Sequence, residues 1–208
     1  MSSSGSWDSL SAVSAQPTTA KRAAVQSAVL AATEALLAEG ASYADLHIER
    51  IATRAGISRT AFYFYFRDKR QLLMRLTEDV NEQLFQQADI WFSGAGEPEP
   101  EIRAALSNIA ALYAEHGVLL RAIVEVSTYD DEVARFWRDM LGRFVEASRK
   151  RIEADQAAGR AVACDAHATA FALCWMTERT LYQQLVEGAA LDAVDAMAGI
   201  WLRAVYLS

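Results

Sequence analysis

The chain has 208 residues, about half of them apolar, which is enough to bury a sizeable core. Its net charge of −7 argues against a uniformly basic nucleic-acid binder, and no apolar run is long enough to span a bilayer. The two cysteines and three histidines fit no metal-binding spacing. We therefore expect no metal or other cofactor, reduced thiols and a cytoplasmic location.

The charge is unevenly distributed along the chain. Residues 20–75 contain nine Lys or Arg against five Asp or Glu, a surplus of four positive charges. The rest of the chain therefore carries an excess of eleven negative charges. A basic N-terminal part on an acidic body suggests that only the former meets a polyanion.

The predicted elements are helical throughout. Residues 1–19 are rich in Ser, Thr and Ala, which predicts a disordered arm. Apolar residues then recur at helical spacing up to Gly40, and a long helix is predicted from Asp68 to about Trp91. The stretch "SGAGEPEP" ends that helix as a linker. Further helices are predicted at about 100–115, 119–128, 130–158, 165–187 and 191–206, so the fold is expected to be all-α with about nine helices.

A helix-turn-helix is predicted around Gly56. An apolar helix face precedes this glycine, which stands where a left-handed residue turns the chain. Ser58 follows and can cap a second short helix through its hydroxyl. That second helix is expected to enter the major groove, with its N-terminal residues over the base edges.

The residue types predict individual DNA contacts. Arg59 can pair with guanine O6 and N7, and Thr60 can contact a thymine methyl group or a phosphate. Phosphate contacts that fix register are expected from Tyr63, Tyr65 and Lys69. Further contacts to the backbone or minor groove are expected just outside the first helix. The full predicted set is Lys21, Arg22, His47, Ser58, Arg59, Thr60, Tyr63, Tyr65 and Lys69.

The aromatic run "FYFYF" alternates as a β-strand does, but no partner strand is present and helical patterns flank it. As a helix end, it places Phe62 and Phe66 on one face, toward the core. Phe64 points away from that face. The sequence leaves it between packing on the first or fourth helix and contacting the DNA backbone.

At this point the chain resembles a known family. "IERIATRAGISRTAFYFYFRDKRQLL" resembles the TetR family of bacterial transcriptional regulators, over about residues 20–75. The segments "FWRDMLGRF", "MTERTLY" and "IWLRAVY" resemble the EthR-like subgroup of that family. One departure is His47, which stands where the family usually has Ser or Thr. It is expected to cap the helix or remain solvated, with a phosphate contact as the alternative.

The resemblance implies a division of labour along the chain. Residues 20–67 would form the DNA-binding domain, and residues 68–208 a helical ligand-binding and dimerisation domain. The implied partners are double-stranded operator DNA, a small hydrophobic ligand and a second copy of the chain. Dimer contacts are expected from Leu173, Met176, Thr180, Gln184, Glu187, Ala193, Met197 and Ala204.

An apolar pocket with a few polar groups is predicted in the body. Spacing alone favours an ordinary core, and the resemblance shifts the balance toward a ligand site. Cys174 and Thr177 stand where EthR-like regulators offer asparagines, which leaves the ligand's identity open. The predicted ligand-binding residues are Trp137, Leu141, Phe144, Ser148, Cys174, Thr177, Glu178, Tyr182 and Trp201.

Glu178 is the sharpest feature of this set, because a buried carboxylate is unfavourable unless it is paired or protonated. Its neighbour Arg179 is not expected to face it on a helix. Three roles stay open: Glu178 reaches solvent, pairs with a distant arginine such as Arg121 or Arg203, or binds a ligand.

The sequence therefore predicts a ligand-responsive transcriptional repressor that leaves its operator when a small hydrophobic molecule binds. An activator, or a ligand-independent DNA-binding dimer, is the alternative. A small-molecule enzyme using the helical pocket is a remote third, because no nucleophile–base pair, metal cluster or phosphate loop is present.

Overall fold

The computed structural model describes residues 19–187 and 193–207. Within these ranges the chain forms nine α-helices and no strand, which confirms the all-α prediction. The arm predicted to be disordered lies outside the described residues, except for Thr19, which begins the first helix. The helices are α1 (Thr19–Ala38), α2 (Ile48–Arg54), α3 (Arg59–Tyr65), α4 (Lys69–Phe92), α5 (Pro98–Glu115), α6 (Gly117–Ser127), α7 (Asp131–Ala157), α8 (Ala166–Glu187) and α9 (Val194–Val205).

Helices α1, α2 and α3 pack on one another as a small head. The turn between α2 and α3 forms as predicted: Gly56 has φ +70°, and the N–H of Ile57 donates to the carbonyl of Ala52 at 3.0 Å. Ser58 caps α3 by accepting a hydrogen bond from the N–H of Ala61 at 3.0 Å. These two local devices fix the angle at which α3 leaves the turn.

Helix α4 joins the head to the body. Asp68 caps its N-terminus by accepting from the N–H of Gln71 at 2.7 Å. At 24 residues it is about 36 Å long, so it passes from the head along much of the body. Its long buried stripe packs on α5 and α7.

A cluster of ion pairs holds the start of α4 against the start of α7. Arg67 approaches Glu132 at 3.0 Å, and Arg70 approaches Asp130 at 2.8 Å and also pairs with Glu132. These contacts connect the basic head to the acidic body. They set the position of the head relative to α7.

The remaining helices form the body. Helix α7 packs on α6 and α8, and α5 packs on α9. Helix α5 begins at Pro98 instead of the predicted residue 100, because proline is well suited to the first position of a helix. Residues 188–192, where the last helix was expected to start, lie outside the described part of the chain.

A buried charged network ties the far end of α4 to the body. Arg151 donates to Asp155 at 2.7 Å and to the carbonyls of Trp91 and Gly94. The Tyr206 hydroxyl also donates to Asp155, at 2.6 Å. Trp91 lies at the C-terminal end of α4 and Gly94 just beyond it. These hydrogen bonds therefore fix the C-terminal end of α4 to the body.

Candidate functional sites

Helix α3 turns one face to the core and another to solvent. Phe62 is fully buried and packs on Phe66 with ring centroids 5.5 Å apart. The opposite side faces solvent. Its exposed side chains are Arg59, Thr60, Tyr63 and Phe64.

Arg59 lies at the first position of α3, where the sequence placed a base-reading residue. Its guanidinium is more than half exposed and pairs with the carboxylate of Glu49 on α2. Glu49 therefore orients Arg59 in the free protein. This acidic partner was missed by sequence reasoning, because it comes from the preceding helix.

Phe64 is 74% exposed and packs on neither α1 nor α4, which excludes two of the three environments left open by the sequence. Four residues separate it from Thr60, so the two side chains share a face of α3. The exposed face of α3 thus combines a cation, a hydroxyl and a large apolar ring.

Lys69 makes contacts within the protein that the sequence did not indicate. Its ammonium donates to the carbonyls of Tyr43 and Ala44 at 2.6 and 2.9 Å, and lies 5.0 Å from the centre of the Tyr43 ring. Burial lowers the pKa of Lys69. Two of its three N–H groups are therefore committed to holding the loop between α1 and α2, which leaves one for a phosphate.

The other predicted DNA contacts have mixed outcomes. Lys21 and Arg22 are exposed, but they lie in the first turn of α1 and not outside it. His47 occupies the N-cap position of α2 without a side-chain capping bond, so the predicted cap is absent and its imidazole is exposed. Tyr65 is half-buried and packs partly on the core.

An apolar cavity lies in the body between α4, α5, α7, α8 and α9. Eight of the nine predicted ligand-binding residues line it: Trp137, Leu141, Phe144, Ser148, Cys174, Thr177, Glu178 and Trp201. Tyr182 does not line it, and the guanidinium of Arg179 lies 5.0 Å above its ring instead. The reason is rotational, because Tyr182 falls a further 40° around α8 from Glu178, past the edge of the cavity face.

Sequence reasoning missed the walls that α4 and α5 supply. The one visible signal was Asn81, a polar residue in the apolar stripe of α4, which is buried and lines the cavity. The other lining residues look like ordinary core residues in the sequence. On α4 and α5 they are Leu84, Ala88, Trp91, Phe92, Ile102, Ala105, Leu106, Ile109 and Tyr113.

Several polar groups of the cavity are already paired within the protein. The Trp201 Nε1–H donates to Thr177 Oγ1 at 3.0 Å, and that hydroxyl donates to the carbonyl of Leu173 at 2.9 Å. Ser148 Oγ lies 3.5 Å from Cys174 Sγ. Burial raises the pKa of the Cys174 thiol to about 11, so this cysteine stays protonated and unreactive at neutral pH.

Glu178 differs from these groups. The residue is only 3% exposed, and neither carboxylate oxygen has a hydrogen-bond partner in the described part of the chain. Arg179 curls back further than expected, but its Nε stays 3.7 Å from Oε2, beyond hydrogen-bonding distance. Of the predicted distant partners, Arg121 pairs with Glu125. Burial raises the pKa of Glu178, and Arg179 opposes this only in part.

A stripe of apolar side chains runs along the outer face of α8. Phe171 and Val186 are about half exposed, Trp175 and Tyr182 are half-buried, and the rings of Phe171 and Trp175 are 6.0 Å apart. On α9, Ile200 is also exposed.

Some residues predicted to form dimer contacts instead belong to the protomer core. Leu173, Ala193 and Met197 are buried within the chain. The other predicted residues are half-buried, except Glu187, whose side chain lies outside the described part.

Two absences bear on the class of protein. None of the helices described is long and apolar enough to cross a membrane. In the same residues no group of three or more His, Cys, Asp or Glu could hold a metal ion.

Comparison with known proteins matches two parts of the chain to known families. The sequence profile of the bacterial regulatory proteins of the tetR family matches residues 29–76. The profile of the C-terminal domain of the transcriptional regulator EthR matches residues 102–207. The HTH-type transcriptional regulator EthR of Mycolicibacterium smegmatis is 31% identical over 191 residues, which cover 87% of this chain and 86% of that protein.

Solved structures show the same fold. FadR from Bacillus subtilis, in complex with stearoyl-CoA, superposes with a TM-score of 0.71 and 16% identity over 88% of this chain and 98% of its own. NalD is the secondary repressor of the MexAB-OprM multidrug efflux pump in Pseudomonas aeruginosa. It superposes with a TM-score of 0.70 and 18% identity over 89% of this chain and 98% of its own. The chain belongs to the TetR family of bacterial transcriptional regulators and carries an EthR-type C-terminal domain. It is therefore a DNA-binding transcriptional regulator.

Proposed function

We propose that this regulator is a repressor that binds operator DNA as a homodimer through α3 and leaves it when a small hydrophobic molecule enters the cavity of the body. The observation that carries this proposal is the position of the cavity, whose walls include five residues of α4: Asn81, Leu84, Ala88, Trp91 and Phe92. The same helix begins at the head. A change in the cavity wall is thereby connected to the position of α3.

The size of the cavity supports a switching role. Its free space is about 80 Å³. One water needs about 10–15 Å³ of such space, so the cavity can hold several waters. A ligand larger than this space has to displace part of the wall, and if it displaces α4 it prefers the conformation in which α4 has moved. Such a preference is what a ligand needs in order to shift an equilibrium.

Two anchors decide how α4 can move. Its C-terminal end is held by Arg151 through the carbonyls of Trp91 and Gly94. Its N-terminal end is paired with Glu132 and Asp130 through half-exposed ion pairs, and α4 and α1 also pack on α6. Since exposed ion pairs contribute little to stability, we expect the N-terminal end, and the head with it, to move.

The exposed stripe on α8 supports the proposal of a dimer. Phe171, Trp175, Tyr182 and Val186 lie within about 60° of one another around the helix at 100° per residue. Together with Ile200 on α9 they form an apolar face that a second copy of the chain would cover. A dimer places two recognition helices in successive major grooves, about one DNA turn apart.

The relatives' names support regulation, and we propose no catalytic activity. We also propose that the DNA-binding domain ends at residue 67 and that the ligand-binding and dimerisation domain begins at residue 68. In the described part of the chain, the pocket contains a buried protonated thiol and a lone carboxyl group, not a nucleophile hydrogen-bonded to a base.

The test is a thermal-shift screen of small hydrophobic compounds, with each hit retested for release of an operator selected from genomic fragments. We expect hits that raise the melting temperature and weaken operator binding. Ala105→Phe, which fills the cavity, should abolish the shift. Ala104→Phe, at the exposed neighbouring position, should preserve it. Hits that stabilise the protein but leave operator affinity unchanged would refute ligand-controlled release.

A further inference from the structure

The carboxyl group of Glu178 is the one cavity group in the described residues whose fully buried oxygens lack a hydrogen-bond partner, and its ion-pair contact with Arg179 is long, at 3.7 Å. Both oxygens are enclosed, and the nearest cation, Arg179, is about half exposed and directed to the outer side of α8. Thr177, Trp201 and Ser148 already have partners inside the protein. A ligand that enters the cavity therefore meets the buried carboxyl group of Glu178 without a hydrogen-bond partner, beside the neutral amide of Asn81 and the hydroxyl of Tyr113.

The charge of the cavity restricts which ligand chemistry fits that group. The lining residues in the described chain include no Lys or Arg, and Glu178 is the one acid among them. A carboxylate or phosphate placed there would meet a like charge without a cation to offset it. A cation, in contrast, would meet a carboxylate and several aromatic rings, both of which attract positive charge.

We propose that the effector is a cationic amphiphile, an alkyl or aryl amine whose apolar body occupies the aromatic cavity and whose ammonium donates to Glu178. This inference rests on the proposed function, because it assigns the ligand class of the same pocket. Tyr113 also lies near Glu178 on the α5 side and lines the cavity. Its ring adds a further aromatic surface close to the expected position of the ammonium.

The proton of Glu178 is accounted for whether the ligand arrives as a neutral amine or as an ammonium ion. A neutral amine takes the proton of the carboxyl group, whereas an ammonium that meets the neutral carboxyl releases that proton to solvent. The bound state is a carboxylate–ammonium pair in both cases. A neutral ligand carbonyl that accepts from a protonated Glu178 is the competing chemistry, and it predicts a different ranking of ligands.

The experiment compares three probes of equal chain length on the purified full chain: n-octylamine, n-octanol and octanoate. Affinity is measured from the fluorescence of the tryptophans that line the cavity, and operator release is measured in parallel. We expect octylamine to bind about tenfold or more tightly than octanol, because hydrogen bonds to charged groups are stronger than neutral ones. Octanoate should bind most weakly.

Variants assign the preference to one residue. Glu178→Gln should reduce the amine's affinity to that of the alcohol and leave octanol binding within about twofold, whereas Glu178→Asp should retain part of the preference. Glu125→Gln, at a half-exposed site on α6, is the matched control and should change nothing. Because Glu178→Asp keeps the charge, it also serves if Glu178→Gln folds poorly.

The outcomes separate this inference from the proposed function. If octanol releases the operator as well as octylamine does, ligand control stands and the amine class is wrong. A preference for octylamine that survives in Glu178→Gln also overturns the inference. If octylamine binds with the expected preference but leaves operator affinity unchanged, the ligand class holds and ligand-controlled repression fails.

Discussion

Tyr43 and Lys69 hold each other by two reciprocal hydrogen bonds. The Tyr43 hydroxyl donates to the backbone carbonyl of Lys69, and the Lys69 ammonium donates to the backbone carbonyl of Tyr43 at 2.6 Å. The pair joins the loop after α1 to the first residue of α4. It therefore fixes the head to the N-terminal end of α4, where a movement of α4 would reach the head.

The first prediction concerns this pair. Tyr43→Phe removes the hydroxyl and leaves the Lys69 carbonyl without that donor, so we expect the free energy of unfolding to fall by about 1–3 kcal/mol. Chemical denaturation measures this change. Tyr129→Phe, at a largely exposed tyrosine, is the control and should stay near the wild type. Equal midpoints for wild type and Tyr43→Phe would show that the bond contributes nothing.

Arg59 carries the second prediction. If its guanidinium reads a guanine, Arg59→Ala should reduce the preference for one base pair on the order of tenfold to a hundredfold, with little effect at other positions. Affinities for the mapped operator and its single-base variants provide the measurement. Arg54→Ala, which removes an exposed arginine paired with Glu39 just after α1, should leave base preference intact. A uniform loss across all variants would instead indicate a phosphate contact.

The third prediction concerns Phe64, whose exposure leaves DNA as the remaining environment. Phe64→Ala should not alter the free energy of unfolding, but it should weaken operator binding. If the ring contacts a thymine methyl group, replacing that thymine by uracil should weaken wild-type binding and have no further effect on the variant.

Phe62 lies in the same turn of α3 as Phe64 but on its buried face, so it serves as the control. Phe62→Ala should destabilise the head by about 3–5 kcal/mol, because its ring is fully buried. If Phe64→Ala binds the operator as the wild type does, Phe64 has no role in DNA binding.

The local features of the head were predictable from the sequence because each depends on neighbouring residues. Gly56 needs a left-handed conformation, and Ser58 reaches an N–H three residues ahead. The partners of Lys69 were not predictable, because they lie about 25 residues away in a loop without a repeating pattern.

The walls of the cavity were also predictable only in part. Its α7 and α8 walls were predicted from helical spacing together with the resemblance to EthR-like regulators, because spacing alone favoured an ordinary core. The α4 and α5 walls, such as Leu84 and Ile102, have the same pattern as a packed core, and only the gap between helices distinguishes them. The failure at Tyr182 has the same origin, since a 40° rotation on α8 separates the cavity from the outer stripe.

The fourth prediction concerns pH. Burial raises the pKa of Glu178 in the folded protein, so the folded state holds this proton more tightly than the unfolded chain does. The resulting stability is fully present below the unfolded carboxyl pKa of about 4.3, and it is lost as pH rises through the folded-state pKa. The wild type should therefore lose stability relative to Glu178→Gln as pH rises through this window.

Urea denaturation of both proteins across this range measures the difference. Arg179 and Tyr113 are the other charged or titratable groups that act on Glu178, and both variants retain them. Glu125→Gln should show no such decline. A pH-independent difference between wild type and Glu178→Gln would mean that the Glu178 carboxyl group is solvated in the folded protein.

The last prediction concerns the anchor at the far end of α4. Asp155 is fully buried and accepts hydrogen bonds from Arg151 and Tyr206, and the Tyr206 hydroxyl in turn accepts from the indole of Trp91 at 3.0 Å. Asp155→Asn removes the closer carboxylate partner of the buried Arg151 and leaves it with Glu101 at 3.5 Å, so the free energy of unfolding should fall by about 3–5 kcal/mol. Glu153→Gln, two residues earlier in α7, removes a half-exposed partner of Arg149 and should change stability by less than about 0.5 kcal/mol.

The same substitution tests whether the anchor matters for the switch. Trp91 lines the cavity, and its ring centroid lies 5.2 Å from that of Trp201. Loss of the bond from Tyr206 to Asp155 frees the hydroxyl that holds the Trp91 indole, so the cavity wall should also become less rigid. In Asp155→Asn, a bound ligand is expected to move both ends of α4 and to transmit less of its effect to the head. The ratio of operator affinities without and with ligand should therefore be smaller than in the wild type. An unchanged ratio in a measurably destabilised protein would show that α4 is not held at this end during the switch.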